Sequence, residues 1–278
     1  MFAYHFMVNA FRAGTVVAVT AGAVGWFMVL RRQAFAGHTL AVVGFPGAAG
    51  AVWLGISAAW GYFGSCVMAA GLIAALPRAT VGRHSEESAG IGVIQAFALG
   101  AGFLFVSLFH GFLNGIDALL FGSFTGITDG QVLALLAVGA GALAALALGG
   151  RPLLFASIDP DVAAARGVPV RLLALVYLVL LGLAVAEISQ ITGTLLVFAL
   201  LVMPAATAQN LTARPGLGIA LAIVVALAVT WAALAVAYYS PYPIGFWVTG
   251  FGFTAYLTAT ISRAVRGHRA GGSATVGP

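Results

Sequence analysis

The sequence predicts an all-α fold, a polytopic bundle of about nine membrane-crossing helices, and three observations carry that expectation. First, 62% of the residues are hydrophobic and only 7% are charged, whereas a soluble domain needs roughly a quarter of its residues charged to cover its surface. Second, several apolar runs each reach about twenty residues, enough to cross roughly 30 Å of hydrocarbon. They are continuous rather than alternating, which favours helices over a barrel. Third, the arginines fall almost entirely on one side of the bundle those runs would build, as the positive-inside rule requires.

The runs place spans at 10–30, 39–58, 60–77, 91–110, 131–150, 170–187, 193–211, 217–238 and 244–262. The first is read as a membrane helix and not as a secretion signal. Residues 1–10 carry no basic region, the apolar stretch up to Leu30 is too long for a signal core, and Arg31 and Arg32 follow it. The second and third spans are separated only by a tight turn expected near Ala59–Gly61. Residues 111–130 are Gly-rich and hold two acids, which predicts a short re-entrant or surface helix. With nine spans and the C-terminus inside, the cytoplasmic loops and tail hold Arg31, Arg32, Arg78, Arg83, Arg151, Arg166, Arg171, Arg214, Arg263, Arg266 and Arg269, leaving only Arg12 outside. Residues 1–266 then make one transmembrane domain in the cell membrane. Residues 267–278, rich in Gly, Ser and Ala, read as a disordered cytoplasmic tail.

Composition also excludes function classes. The formal charge of +5 is not gathered into a basic, aromatic-interleaved surface, so nucleic acid is not a partner. Lysine is absent from the chain, so no Walker A loop can exist here and any ATP hydrolysis falls to another chain. Cys66 is the single cysteine, which excludes an internal disulfide. Neither a nucleophile–base pair nor a paired-acid motif stands out, so an intramembrane enzyme has little support. Gly44, Gly47 and Gly50 form a stripe, and Gly111/Gly115 and Gly122/Gly126 repeat at four-residue spacing. Such spacing lets helix backbones approach closely.

The loop between Arg151 and Arg171 is the most informative. Asp159 suits an N-cap and Pro160 the first helical position. Asp161 complements the positive end of the helix dipole. The run Ala163–Ala165 has high helix propensity, Arg166 follows it, Gly167 can close the helix and Pro169 stops it. These signals specify a short cytoplasmic helix over 159–167, a lever or a connector. The loop resembles the coupling helix of the membrane (permease) subunits of zinc/manganese-type metal ABC transporters. Three other segments resemble the same family: Val29–Gly37 (VLRRQAFAG), Glu86–Gly92 (EESAGIG) and Gly193–Ala208 (GTLLVFALLVMPAATA). Order and spacing match over about residues 7–265.

The resemblance implies an ABC-importer permease that forms a homodimer. It would dock ATP-binding ABC subunits on the cytoplasmic side through Asp159, Pro160, Asp161, Ala164, Arg166 and Gly167. It would receive Zn²⁺ or Mn²⁺, less readily Fe²⁺, from an extracytoplasmic metal-binding protein. No cofactor is bound permanently and ATP is bound only by the partner subunit. The family carries a Gly-Asp-x-x-x-His pattern for metal admission. Here His38 stands in place of the acid and Val42 in place of the imidazole, which tilts the expected cargo toward zinc. The metal pathway expected on these grounds comprises His38, at the cytoplasmic end of the second span, with His110, Asn114 and Asp117 at an outer rim, and Glu187. Glu187 and Gln190 are expected near the outer surface. Pro204 is expected to interrupt hydrogen bonding in its span. The aromatics Tyr238, Tyr239, Tyr242, Phe246 and Trp247 are expected to form an outer interfacial belt. The rival class is a secondary transporter driven by an ion gradient, with Glu187, Asp117 and His110 as relay groups.

Overall fold

The computed structural model describes residues 4–76, 84–108, 119–122, 126–194 and 196–272, without the side chains of 84–87 and 266–272. The helices among them are α1 (His5–Leu30), α2 (Ala34–Trp53), α3 (Ala58–Ala75), α4 (His84–Leu108), α5 (Asp129–Ile158), α6 (Pro160–Ala165), α7 (Val170–Thr192), α8 (Val197–Leu211), α9 (Pro215–Tyr239) and α10 (Ile244–Gly272). Eight of them are long and apolar enough to cross a membrane, and α8 is a shorter apolar helix. The all-helical expectation and the approximate span count therefore both hold.

Helix α1 is the most enclosed of the long helices. It packs against α5, α7, α8 and α9, while α2 packs on α3 and α4, and α3 on α7. Lipid tails offer no hydrophobic drive for helix association, so the contacts rely on small residues and close backbones. The glycine stripe on α2 does this. A Cβ at Gly47 would stand 2.6 Å from the Gly61 carbonyl of α3, one at Gly44 would meet Tyr62, and one at Gly50 would meet Phe105 of α4. Long-range polar ties finish the core. Tyr177 on α7 donates to the Val24 carbonyl of α1 at 2.9 Å, and Gln209 on α8 donates to the Trp26 carbonyl at 3.0 Å.

Local signals explain most helix ends. At the start of α5, Thr128 accepts from the Gln131 backbone N–H while the Gln131 side chain accepts from the Thr128 N–H, a reciprocal capping box. The turn between α2 and α3 falls at 54–57, earlier than the expected Ala59–Gly61, because Gly55 closes α2. Gly55 has φ +75°, its N–H reaches the Val52 carbonyl at 3.0 Å, and the Ile56 N–H reaches Ala51 at 2.8 Å. That is a Schellman closure, which glycine permits at least cost. The fifth span also runs further than expected. Helix α5 continues through Arg151 and Pro152 to Ile158, so residues 151–158 are helix and not loop. Helix α10 likewise reaches Gly272, into the stretch expected as tail.

Helix α8 begins at Val197 rather than at Gly193, because Gly193 takes φ +72° as the cap of α7. Gly122, at φ +77°, lies against it, and a Cβ on Gly122 would stand 2.6 Å from the Gly193 amide nitrogen. Thr194 donates its N–H to the Leu119 carbonyl at 3.2 Å, and the Tyr62 hydroxyl donates to the same oxygen at 2.9 Å. Residues 119–122 of the Gly-rich 111–130 segment are thus pinned to α3 and to the α7–α8 break.

Candidate coupling and transport site

The 159–167 element forms as its residues specify. The Asp159 carboxylate accepts from the Val162 N–H at 3.0 Å, and Pro160 occupies the first turn of α6. At the other end Arg166 is the cap and Gly167 adopts φ +80°. The Gly167 N–H donates to Ala164 and the Val168 N–H to Ala163, each at 3.0 Å. Both pairs of the Schellman motif are therefore present. Ala163 is fully buried against the bundle. Asp159, Asp161, Ala164, Arg166 and Gly167 are exposed or nearly so, and Val162 and Ile158 add exposed apolar surface beside them. One face of α6 is thus seated on the bundle, and the other is free.

The arm carrying α6 is braced from α1. Arg31, just past the end of α1, donates to the Ser157 hydroxyl at 2.8 Å and sits 5.2 Å from the Tyr177 ring centroid. Arginine suits this, since one guanidinium can hydrogen-bond and stack on an aromatic ring together. Both arginine-bearing ends, after α1 and along the last turns of α5, therefore lie on one side of the bundle. The opposite end gathers aromatics. Tyr4 lies 6.4 Å from Tyr238, Tyr238 lies 4.9 Å from Tyr239, and Phe246 lies 5.1 Å from Trp247. His5 and Asp129 pair there at 3.7 Å. Tyr242 lies 6.0 Å from Phe246, so the expected belt residues fall into two ring groups, one at the end of α9 and one at the start of α10.

Of the expected metal-pathway residues, His38 and Glu187 lie among the described residues, on α2 and α7. His38 lies one turn into α2, partly buried, with its ring edge-on to Phe198 of α8 at 5.1 Å. Its neighbour Thr39 donates to Gln95 of α4 at 3.0 Å. Val42 offers no ligand, as the sequence required. His110, Asn114 and Asp117 lie outside the described residues. Glu187 requires correction. It was expected near the outer surface, yet it is fully buried. Thr20 of α1 and Gly139 of α5 close over it, with Thr20 Oγ1 at 3.4 Å from Glu187 Oε1. A position five residues before the end of α7 looks interfacial in a linear reading, but the packing of α1 and α5 over that turn covers it. Gln190 bonds within its own helix, to the Ala186 carbonyl at 3.4 Å. No group of three or more His, Cys, Asp or Glu able to hold a metal occurs among the described residues. Pro204 lies inside α8, buried, with the Thr207 hydroxyl donating to the Met203 carbonyl at 2.7 Å.

Sequence reasoning missed Thr20, Tyr177, Ser157 and Gln95. Each is an ordinary residue within a span or helix end, and only its partner from a distant segment makes it structural.

This chain matches the family model described as the ABC 3 transport family over residues 3–263. It belongs to that family, whose members are membrane permease subunits of ABC transporters. It is 30% identical over 218 residues to the manganese transport system membrane protein MntC of Halalkalibacterium halodurans, covering 77% of this chain and 72% of that one. It is 32% identical over 228 residues to the chelated iron transport system membrane protein YfeC of Yersinia pestis, covering 81% and 75%. Among solved structures, PsaBC from Streptococcus pneumoniae in complex with Fab superposes with a TM-score of 0.82 at 26% identity, covering 92% of this chain and 91% of that one. Family membership sets aside the secondary-transporter alternative.

Proposed function

We infer that this chain is the membrane subunit of an ATP-driven importer of a divalent transition metal, Mn²⁺ or Zn²⁺. The observation that carries the reading is α6, a short helix specified at both ends and seated by Ala163, with Ala164 exposed. It is supported by relatives named for manganese and chelated-iron transport. Two copies form the permease, and a pair of ATP-binding subunits docks on α6 and its surroundings. ATP binding draws those subunits together, α6 passes the motion into α5 and α7, and the dimer alternates between outward and inward openings. The metal arrives from an extracytoplasmic binding protein, meets the rim at His110, Asn114 and Asp117, and passes His38. An imidazole at His38 suits zinc, whereas manganese favours carboxylate and carbonyl oxygens. Without lysine the chain cannot hold a Walker A nucleotide site, so the ATPase resides on the partner.

The test is uptake of Mn²⁺ and of Zn²⁺, each alone, into vesicles carrying the permease with its ATPase partner. Uptake should require the partner and ATP. Uptake that persists after loss of every candidate ATPase rejects the reading. The arginine distribution adds a second expected result: a reporter fused after Arg269 lies in the cytoplasm, and one within 111–130 lies outside. A C-terminal reporter on the outer side would overturn the arrangement, docking face included.

A further inference from the structure

Metal transport as proposed leaves Glu187 without a role. Its carboxyl is enclosed by three helices, and a Cβ at Gly139 would stand 3.0 Å from Glu187 Oε1 and 2.9 Å from Thr20 Oγ1. Glycine at 139 therefore clears the space the acid occupies. A carboxylate and a hydroxyl are too few protein donors for zinc, which takes about four ligands, and manganese takes more oxygen donors still. A divalent metal does not fit here.

The hydrogen-bond inventory indicates a different occupant. Thr20 Oγ1 lies 3.0 Å from the Val16 carbonyl and 3.4 Å from Glu187 Oε1. A threonine has one hydroxyl proton. Given to the nearer acceptor, Val16, it leaves a lone pair of Thr20 facing Glu187. An ionised carboxylate only accepts, so two acceptors would then confront each other in a fully buried space. Among the described residues Glu187 Oε2 has no hydrogen-bond partner, which an ionised group would tolerate far less well than a neutral carbonyl oxygen.

Among the described residues no ion pair involves Glu187, and its side-chain hydrogen-bond partner is the Thr20 hydroxyl. Helices α1, α2, α3, α5, α6 and α8 pack on α7. Their titratable or charged groups are His5, Arg12 and the adjoining Arg31 of α1, His38 of α2, Tyr62 and Cys66 of α3, Asp129 and Arg151 of α5, and Asp161 of α6. Arg171 and Tyr177 lie on α7 itself. Tyr62 bonds Leu119, Cys66 bonds Leu40, Tyr177 bonds Val24, Arg31 bonds Ser157, and His5 pairs with Asp129. None of these bonds reaches Glu187.

We propose that Glu187 is a proton-binding site in the core of the permease. Its Oε1–H donates to Thr20 Oγ1, and Thr20 donates to the Val16 carbonyl. The proton is the ligand of this site, and the two-bond relay ties α7 to α1 at the point where Gly139 admits both side chains.

The test is infrared spectroscopy of the full-length protein in lipid at neutral pH. The difference spectrum of wild type against E187Q should contain the carbonyl stretch of a protonated carboxyl. In T20V, which keeps the acid but removes its acceptor, that band should remain and move to higher frequency. The E187Q variant keeps a donor toward Thr20 and should fold. Should E187Q not fold, the T20V shift against wild type decides alone. Absence of the protonated band or an unmoved band in T20V would each overturn the proposal. A failure of metal uptake in the wild type would instead count against the transport reading and leave the infrared result intact.

Discussion

Replacing Gly167 with valine is expected to uncouple the permease from its ATPase while leaving the bundle folded. Gly167 holds φ +80° and has open space around its Cβ position, so the cost is conformational and not a clash. A β-branched residue in the left-handed region loses about 1–2 kcal/mol, which lowers the closed-to-open ratio of the helix end by roughly 5- to 30-fold. The end that opens is the one bonded from Gly167 to Ala164 and from Val168 to Ala163. Ala164→Glu attacks the same surface differently, placing a bulky charge on the exposed face of α6 without disturbing buried Ala163. In both variants co-purification of the ATPase and ATP-driven metal uptake should fall together. Metal binding by the extracytoplasmic partner should not change, because neither residue lies in a membrane-spanning helix. Full association and full uptake in both variants would reduce this element to a connector and remove the main support for the coupling mechanism.

The second large effect belongs to the α2–α3 crossing. Leucine at Gly47 would drive its Cβ into Ser65 and the Gly61 backbone of α3, where even the third-nearest atom stands at 2.6 Å. Two helix backbones cannot yield as a flexible side chain can, so the helices must separate. Overpacking a fitted core costs about 1–3 kcal/mol, and a backbone obstacle belongs at or above the top of that range. The Gly47→Leu protein should show a markedly lower melting temperature and a broad or aggregated profile in size-exclusion chromatography. Gly64→Leu is the matched control, since nothing lies within 4 Å of its Cβ position and Gly64 is exposed. It should behave as wild type. Equal stability of the two variants would show that the glycine stripe does not set the α2–α3 distance.

The contrast between α6 and Glu187 marks what could be read in the sequence. Helix α6 is six residues long and every interaction that defines it lies within ten positions of chain, so its acids, proline, alanines and glycine are legible in a row. The turn at Gly55 had an equally local signal, a glycine closing an apolar helix just before Ser57, and it was missed only because the apolar pattern runs on across it. Glu187 has no such local record. Its partner Thr20 is 167 positions away, and the glycine that makes room for both belongs to a third helix. An acid near the end of an apolar run reads as interfacial until the neighbouring helices are placed.

The sequence by itself determined that this protein lives in a bilayer, roughly how many times it crosses, where the α6 helix begins and ends, and which family it resembles. These follow from hydropathy, charge placement and capping, all of which act over a turn or two of helix or along one span. Only the tertiary structure decided that Arg31 braces Ser157, that Gly122 and Gly193 meet, that Gly47 and Gly61 fix a helix crossing, and that Glu187 is sealed beneath Thr20 and Gly139. Those contacts join segments far apart in the chain. They depend on how small residues let particular helix faces approach, and no local preference carries that information.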